Sequence, residues 1–218
     1  MLSYTEENYL KSLFHLTSSD VSKPGAGTNE LASYLDVKPA TVNDMLKKLR
    51  EKKLINYEKY GKISLTAEGR KIAVEILRKH RLWETFLYRK LEFTWDEVHE
   101  VAEQLEHIQS AKLVEKLDKY LGYPEYDPHG DAIPNAKGEM KIQSRKTLAQ
   151  VQPGTACKMV AVKDNTAPFL QYVVKVGLGI SSEIKVIDRQ EYDAMMEIEV
   201  DGKKSVVSNK FAENIYVL

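Results

Sequence analysis

Residues 28–66 have the sequence TNELASYLDVKPATVNDMLKKLREKKLINYEKYGKISLT, which predicts a short helix, a tight turn, a second helix and a β-hairpin. Pro39 begins the second helix, where its missing N–H removes no hydrogen bond. Apolar residues recur at helical spacing from Val42 to Leu49, whereas they alternate with polar residues on both sides of Tyr60-Gly61. This order of elements is that of a winged helix-turn-helix domain.

Charge is unevenly distributed along the chain. Basic and acidic residues both number 32, so the formal net charge is zero. The segment 38–71 nevertheless contains ten basic and four acidic residues, a net charge of +6. A local cationic surface can bind DNA phosphates, although a charged segment can also be only a solvated face. On the second helix and the hairpin we expect DNA contacts from Lys38, Pro39, Thr41, Asn43, Asp44, Lys47, Lys48, Lys59 and Lys62.

Periodicity predicts helices and strands in the rest of the chain. Residues 4–17 form an amphipathic helix, and three more helices are expected at 67–91, 96–108 and 110–121. A loop rich in proline, glycine and aspartate follows. Strand-like alternation then appears in KMVAVK (158–163), YVVKV (172–176), SEIKVID (182–188), MMEIEV (195–200) and KKSVVS (203–208), with a hairpin turn at Asp201-Gly202. These short runs predict a small antiparallel, SH3-like β-barrel.

The fold class is therefore mostly α with a small β component. We predict four consecutive segments: a winged helix-turn-helix domain at 1–70, a helical domain at 71–140, a linker at 141–151 and an SH3-like domain at 152–218. A chain of 218 residues is long enough for domains that each bury a core.

Composition indicates a cytoplasmic protein. Hydrophobic residues make up 43% of the chain and charged residues 29%, as in soluble globular proteins. No apolar run approaches the roughly 18 residues of a membrane span, and the first residues lack the apolar stretch of a signal peptide. Cys157 is the single cysteine, so an internal disulfide is excluded.

Histidines and carboxylates cluster on two of the middle helices. His99, Glu103, Glu106 and His107 follow i, i+4, i+7, i+8 spacing and share one stripe. The preceding helix adds His80 and Glu84 one turn apart. Clustered carboxylates repel one another, and a divalent cation between the helices relieves this repulsion. A solvated acidic face is the alternative. Without an HExxH motif, or a serine or cysteine nucleophile beside a base, no hydrolytic activity is expected.

These motifs carry a family resemblance. RKHRLWE (78–84) together with EVHEVAEQLEH (97–107) resembles the diphtheria-toxin-repressor and manganese-transport-regulator family of metal-dependent transcriptional repressors. The resemblance covers nearly the whole chain, including the N-terminal helix, the loop DPHGDAIP (127–134) and the C-terminal barrel. It implies a helical domain for metal binding and dimerisation, and an SH3-like, FeoA-type tail.

The resemblance also implies two metal sites in each subunit. The primary site would use Asn8, His80, Glu103, Glu106 and His107, and the secondary site Glu84, His99, Asp127, His129 and Asp164. Glu103 stands where the iron-responsive branch has cysteine, which favours Mn²⁺ over Fe²⁺. Asn8 departs from both branches and would offer a carbonyl oxygen. Ligands limited to oxygen and nitrogen suit either ion on chemical grounds.

We therefore expect a homodimeric repressor of metal-uptake genes that binds a double-stranded DNA operator when it holds Mn²⁺ or Fe²⁺. No membrane or small-molecule substrate is expected as a partner. Three alternatives stay open. A helical metalloenzyme would leave the basic winged helix unexplained, a winged-helix regulator without metal control would bind DNA in the presence of a chelator, and a structural adaptor would leave the histidines unexplained.

Overall fold

The computed structural model describes residues 2–18, 25–57 and 61–218, and these form two compact units. The first unit comprises the described residues of Met1–His80 together with Glu103–Ala111 and Pro134–Glu139. The second comprises Arg81–Ala102, Lys112–Ile133 and Met140–Leu218. Among the helices that these ranges contain, none has the length and apolar composition that a bilayer crossing requires.

The first unit contains the predicted helices and hairpin. They are α1 (Tyr4–Ser18), α2 (Thr28–Tyr34), α3 (Pro39–Glu51), β1 (Ile55–Tyr57), β2 (Ile63–Leu65) and the first part of α4 (Ala67–Lys90). Pro39 stands at the start of α3 as expected, after an extended Lys38. Val42, Leu46 and Leu49 are fully buried, which confirms the predicted inner face of this helix.

Antiparallel pairing forms the wing. Ile55 pairs with Leu65 and Tyr57 with Ile63, while Ala26 adds an isolated bridge to Ile63. Two backbone hydrogen bonds, of 2.9 and 2.8 Å, join Ala26 and Ile63. The predicted turn at Tyr60-Gly61 and the candidate Lys59 fall at 58–61, of which only Gly61 lies within the described residues.

The helical part of the second unit contains a small apolar core. Beyond α4 the chain forms α5 (Val98–Leu105) and α6 (Ala111–Tyr120). Leu82 of α4 packs with the α6 residues Val114 and Leu117, with Leu121 after the helix, and with Ile133 from the following loop. Trp83 and Phe86 pack against this cluster while half-buried. The core holds the loop that follows α6 against α4.

A six-stranded antiparallel sheet forms the rest of the second unit. Its strands are β3 (Lys146–Thr147), β4 (Ala156–Val162), β5 (Glu183–Arg189), β6 (Met196–Val200), β7 (Lys203–Val207) and β8 (Ile215–Val217), in the order β3-β8-β4-β5-β6-β7. The expected hairpin between β6 and β7 is present, with Asp201 and Gly202 at φ angles of 50° and 76°. Irregular register in β4 and β5 curves the sheet.

One strand prediction was wrong. The run YVVKV (172–176) lies in helix α7 (Ala167–Val176), although its valines favour a strand. Pro168 stands in the first turn of the helix, and Gly177 ends it in the left-handed conformation, so both ends carry helix signals. Leu170 and Val173 are buried at helical spacing, which shows that the correct period was three to four residues.

The sheet also begins earlier than expected. Lys146 pairs with Val217, inside the segment 141–151 predicted to be a linker. Leu148, in the 3₁₀ turn Leu148–Gln150, and the following Val151 are buried in the core of the sheet. Strand β8 and the short helix α8 (Asn209–Ala212) were not predicted. The division of the chain into four segments is otherwise still a prediction.

Two contacts hold the loop after α6 against the sheet. The carbonyl oxygen of His129 accepts a hydrogen bond from Val162 N at 3.1 Å. Gly130, at a φ of +85°, lies so close to β4 that a Cβ atom would be 2.0 Å from Val160 O. Trp95, which precedes α5, is buried in the core of the same sheet.

Gly130→Ala is therefore expected to destabilise the second unit strongly. The added methyl group would clash with the β4 backbone, whereas Gly154, at a φ of +81°, faces open space among the described residues. Gly154→Ala should lower the free energy of unfolding by about 1 kcal/mol through backbone strain alone, and Gly130→Ala by about 2 kcal/mol more. Urea unfolding measures both, and equal losses would contradict the close packing.

Candidate metal centres

The first unit brings three predicted primary ligands into one buried cluster. His80 lies on α4, while Glu106 and His107 lie in the turn that ends α5. His80 Nδ1 is 2.6 Å from Glu106 Oε2, and His107 Nε2 is 3.9 Å from Glu106 Oε1. Glu106 is completely buried, and both histidines are at least 93% buried. We call these residues, with the α1 side chains described next, the primary cluster.

Two side chains of α1 complete this cluster, and neither was predicted from the sequence. Glu7 Oε2 lies 2.6 Å from His107 Nδ1, and its other oxygen accepts a hydrogen bond from Gln109 at 2.7 Å. Lys11 Nζ lies 2.7 and 2.8 Å from the two oxygens of Glu106. The spacing of Glu7 and Lys11, one turn apart beside Asn8, is the signal that could have identified them.

Glu103 has a more exposed position. Its Oε1 atom lies 3.4 Å from Lys11 Nζ, and its side chain is 48% exposed. Glu103 therefore reaches the primary cluster from the solvent side, next to the same ammonium group that Glu106 binds.

Electrostatics keep the central carboxylate charged. Burial on its own would raise the pKa of Glu106, but the hydrogen bonds and positive charges of His80 and Lys11 lower that pKa below its ordinary value. Glu106 is therefore buried and ionised. A carboxylate must be ionised to bind a metal ion.

The primary cluster suits a divalent metal ion. The side-chain oxygen Oδ1 of Asn8 is buried and has no hydrogen-bond partner among the described residues. A buried acceptor without a donor is costly, and a cation would satisfy it. The predicted donor set, which adds two imidazoles and the carboxylates to this oxygen, consists of oxygen and nitrogen atoms and fits Mn²⁺ or Fe²⁺.

The second unit contains a second cluster. Ligand atoms of Glu84, Asp127 and His129 lie within 4.8 Å of one another, and all three side chains are buried. Glu84 also lies 3.1 Å from Nδ1 of His99, whose side chain is 40% exposed. We call these four residues the secondary cluster. Asp164, the fifth predicted ligand, accepts a hydrogen bond from Thr166 N at 2.9 Å, and its assignment is still a prediction.

Hydrogen bonds orient His129. Its Nε2 lies 3.0 Å from the carbonyl oxygen of Trp95, and the two rings stack with centroids 5.8 Å apart. A carbonyl oxygen only accepts, so Nε2 carries the proton and Nδ1 faces Glu84 at 3.8 Å. Burial would lower the pKa of His129, but the facing Glu84 carboxylate raises it above the ordinary value. A backbone acceptor behind a histidine is the usual support of a metal ligand.

Asp127 organises the loop that carries it. One carboxylate oxygen accepts hydrogen bonds from His129 N at 2.8 Å and Asp131 N at 2.9 Å. The other lies 3.5 Å from Nε of Arg81. Burial, followed by the charges of Asp131 and Glu84, raises the pKa of Asp127 to about 7. Asp127 therefore both shapes the loop and belongs to the secondary cluster.

A cleft lies beside the predicted DNA-binding surface. It has a volume of about 890 Å³ and is lined by the start of α2, by α3 and by the wing. Four predicted candidates line it, namely Pro39, Asn43, Lys47 and Lys62, and so does Arg50, which was not predicted. Of the remaining candidates, Lys38, Thr41, Asp44 and Lys48 are exposed. Tyr57 donates a hydrogen bond to Asn43 at 3.4 Å and so links the wing to α3.

Three family models match consecutive parts of the chain. The N-terminal DNA-binding domain of the iron-dependent repressors matches residues 1–63, their metal-binding and dimerisation domain matches 66–135, and the FeoA domain matches 146–218. The fold and these matches thus define a metal-binding member of the winged-helix DNA-binding proteins.

Individual proteins that are similar to this chain are metal-dependent repressors. The iron-dependent repressor IdeR of Mycobacterium bovis is 32% identical over 130 residues, which are 60% of this chain and 55% of the relative. The chain therefore spans about half the length of that curated relative. A manganese-dependent transcriptional repressor in complex with manganese is 32% identical, with a TM-score of 0.85 and coverage of 98% of this chain and 99% of the other. A crystal structure of ScaR with bound Cd²⁺ is 34% identical, with a TM-score of 0.78 and 98% coverage of both chains.

The chain belongs to the iron-dependent repressor family, which includes IdeR and the diphtheria toxin repressor. This finding confirms the resemblance seen in the sequence. The family consists of transcriptional repressors and not of enzymes, so the metalloenzyme alternative is excluded.

Metal binding at the secondary cluster is expected to weaken as the pH falls from 8 to 6. A ligand must lose its proton to bind a metal, and the pKa of Asp127 at about 7 places that proton in this range. Binding of Mn²⁺ should therefore release more protons at pH 6.5 than at pH 8. Calorimetry in buffers of different ionisation enthalpy measures the release.

Asp127→Asn should reduce this difference between the two pH values, and His129, whose pKa is also raised, accounts for a part that remains. Asp188→Asn, a change of an exposed aspartate on β5, should keep it. Equal proton release by the unchanged protein at pH 6.5 and pH 8 would contradict the assignment of Asp127 as a ligand.

Proposed function

We propose that this protein is a Mn²⁺-responsive repressor that binds operator DNA as a homodimer. The primary cluster is the observation that carries the proposal. It joins α1 of the DNA-binding domain to the end of α5, through Glu7–His107 at 2.6 Å and Lys11–Glu106 at 2.7 Å. A metal ion bound among these residues acts on the DNA-binding domain directly, because α1 belongs both to that domain and to the primary cluster.

A bound metal supplies a double positive charge that holds oxygen and nitrogen donors from different helices together. Asn8 on α1, His80 on α4 and Glu103, Glu106 and His107 at the end of α5 would provide these donors. Contacts from all three elements restrict the movement of α1, which packs against α2 and the wing strand β2. Control over DNA binding follows if the arrangement with the tighter metal site is also the one that fits the operator.

Similarity to manganese-dependent repressors favours Mn²⁺ as the regulatory ion. Carboxylate, amide and imidazole groups suit Mn²⁺ and Fe²⁺, and the predicted ligands include no thiolate. The single cysteine, Cys157, is buried in the core of the sheet. Among similar structures, one is a manganese-dependent repressor with manganese, and ScaR has been crystallised with Cd²⁺. Zn²⁺ would bind more tightly to such a site in vitro, so the supply of metal in the cell also determines the response.

The secondary cluster provides a second metal site on the same grounds. Glu84, Asp127 and His129 are buried together, and His99 meets Glu84 from the exposed side. Asp164 would be a further ligand from the C-terminal domain. Because the loop of Asp127 and His129 is hydrogen-bonded to β4, metal at this site would stabilise the second unit.

Operator binding would use α3 and the wing. Lys38, Pro39, Thr41, Asn43, Asp44, Lys47 and Lys48 would lie at the major groove, and Lys59 and Lys62 would contact phosphates with Arg50. In a dimer the two α3 helices would contact half-sites separated by a whole number of DNA turns. The regulated genes would be those of metal uptake, and the protein would act in the cytoplasm.

Selection from a pool of random DNA duplexes at fixed salt tests this function. Binding is measured with Mn²⁺, with Fe²⁺ under anaerobic conditions and with a chelator. Sequence-selective binding with Mn²⁺ alone supports the proposal. Selective binding only with Fe²⁺ would identify Fe²⁺ as the regulatory ion in place of Mn²⁺. Equal binding in all three conditions would show a regulator without metal control and contradict it.

Glu103→Gln is expected to reduce Mn²⁺-dependent DNA binding at least tenfold while leaving the fold intact. The change removes one negative charge from the primary cluster, and a half-exposed side chain tolerates it. Glu100→Gln makes the same change at an exposed position one turn earlier on α5 and should bind DNA normally. Unaltered DNA affinity of the Glu103 variant in a fluorescence-anisotropy titration would refute its role as a ligand.

Arg50→Ala is expected to weaken binding of all DNA sequences and to reduce the salt dependence. Loss of one phosphate contact should make the negative slope of log K against log salt concentration shallower by about 0.9. Lys203→Ala changes an exposed cation on β7, outside the DNA-binding domain, and serves as the control. An unchanged slope in the Arg50 variant would contradict a phosphate contact from Arg50.

A further inference from the structure

A positively charged side chain lies inside the candidate primary metal site. Lys11 is 92% buried, although lysine is almost never buried without a partner. Its ammonium group lies 2.7 and 2.8 Å from the two oxygens of Glu106 and 3.4 Å from Glu103 Oε1. The same nitrogen therefore contacts two of the predicted metal ligands at once.

Position distinguishes this ion pair from an ordinary surface pair. Glu106 is wholly buried, and its Oε2 also lies 2.6 Å from His80 Nδ1. Without a cation, Glu106, Glu103 and Glu7 would place three carboxylates close together around two imidazoles. Like charges in a poorly solvated position repel strongly, so the metal-free protein needs a positive charge there.

A divalent ion and the ammonium group cannot both hold this place. Lys11 Nζ donates a hydrogen bond to Glu106 Oε2 at 2.8 Å and lies 2.7 Å from Oε1, which has no hydrogen-bond partner among the described residues. A metal bound to either oxygen would lie only a few ångströms from the ammonium, and charges of the same sign repel at that range. Lysine has a long, flexible side chain, so the ammonium can move to solvent while its methylene groups stay packed.

We propose that Lys11 is a built-in counter-cation of the primary site, which the regulatory metal displaces on binding. This inference rests on the proposed function, since it presupposes that the primary cluster holds the metal. Metal binding is then an exchange of one cation for another. Lys11 stabilises the metal-free protein and weakens metal binding, and so it raises the metal concentration at which the repressor responds.

The opposite role for Lys11 makes the opposite prediction. If Lys11 stayed in contact with Glu106 in the metal-bound protein, it would position the carboxylate for coordination. Removal of Lys11 would then disorder a ligand and weaken metal binding. The sign of the change in metal affinity therefore separates displacement from positioning.

Lys11→Met tests the inference because methionine keeps a similar length and removes the charge. The Mn²⁺ dissociation constant is measured from the electron paramagnetic resonance signal of free Mn²⁺, in an Asp127→Asn background that disables the secondary cluster. We expect Lys11→Met to bind Mn²⁺ at least tenfold more tightly and to unfold at a lower temperature in the presence of chelator. Tightening of less than threefold, or weakening, would overturn the inference.

Lys52→Met is the matched control. Lys52, which follows α3, pairs at 2.6 Å with Glu6, which lies on the same helix as Lys11. Neither Lys52 nor Glu6 is a member of the primary cluster. This variant should bind Mn²⁺ within twofold of the unchanged protein, and equal tightening in both variants would point to overall charge and overturn the inference. If Lys11→Met does not fold without metal, Lys11→Gln keeps a hydrogen-bond donor and is held to the same criteria.

Failure of the proposed function gives a different result. Glu103→Gln would then leave Mn²⁺ binding unchanged in the same Asp127→Asn background, which would show that the metal is not bound by the primary cluster. If Glu103→Gln weakens binding but Lys11→Met does not tighten it, the function stands and the role assigned to Lys11 is wrong.

Discussion

The completely buried carboxylate of Glu106 is the point on which the arrangement of the first unit depends. Glu106 can be buried and charged only because His80 and Lys11 compensate it, and these residues come from α4 and α1. One side chain thereby connects three distant parts of the sequence. In the metal-free protein, loss of either partner leaves an uncompensated charge in the interior, so these pairings favour the observed arrangement of the three elements.

Much of this protein could be predicted from its sequence. Helical and alternating periodicity located α1 to α6 and the wing, and the spacing of His80, Glu106 and His107 identified residues that do meet. Such patterns are local, since they depend on which face of one helix a residue occupies. Residues that share a stripe need only one partner helix to form a cluster.

Contacts that depend on tertiary structure could not be predicted in this way. Glu7 and Lys11 look like an ordinary solvated pair on α1, and only the packing of α1 against the end of α5 gives them a role. The strand prediction for YVVKV failed because valine favours strands, whereas Pro168 and Gly177 at the ends specified a helix. Strand β3 has only two residues, which is too short for any alternation to be visible.

Backbone contact between the loop of His129 and strand β4 has a consequence for how such proteins change during evolution. Every member of the primary cluster precedes residue 110, whereas the loop of the secondary cluster rests on a sheet that begins at Lys146. Shortening the chain before the sheet would leave all residues of the first cluster in place and remove the support of the second. Ion sensing at the primary cluster and the C-terminal domain can therefore be inherited separately. A shortened descendant would lose the secondary cluster and keep the primary cluster.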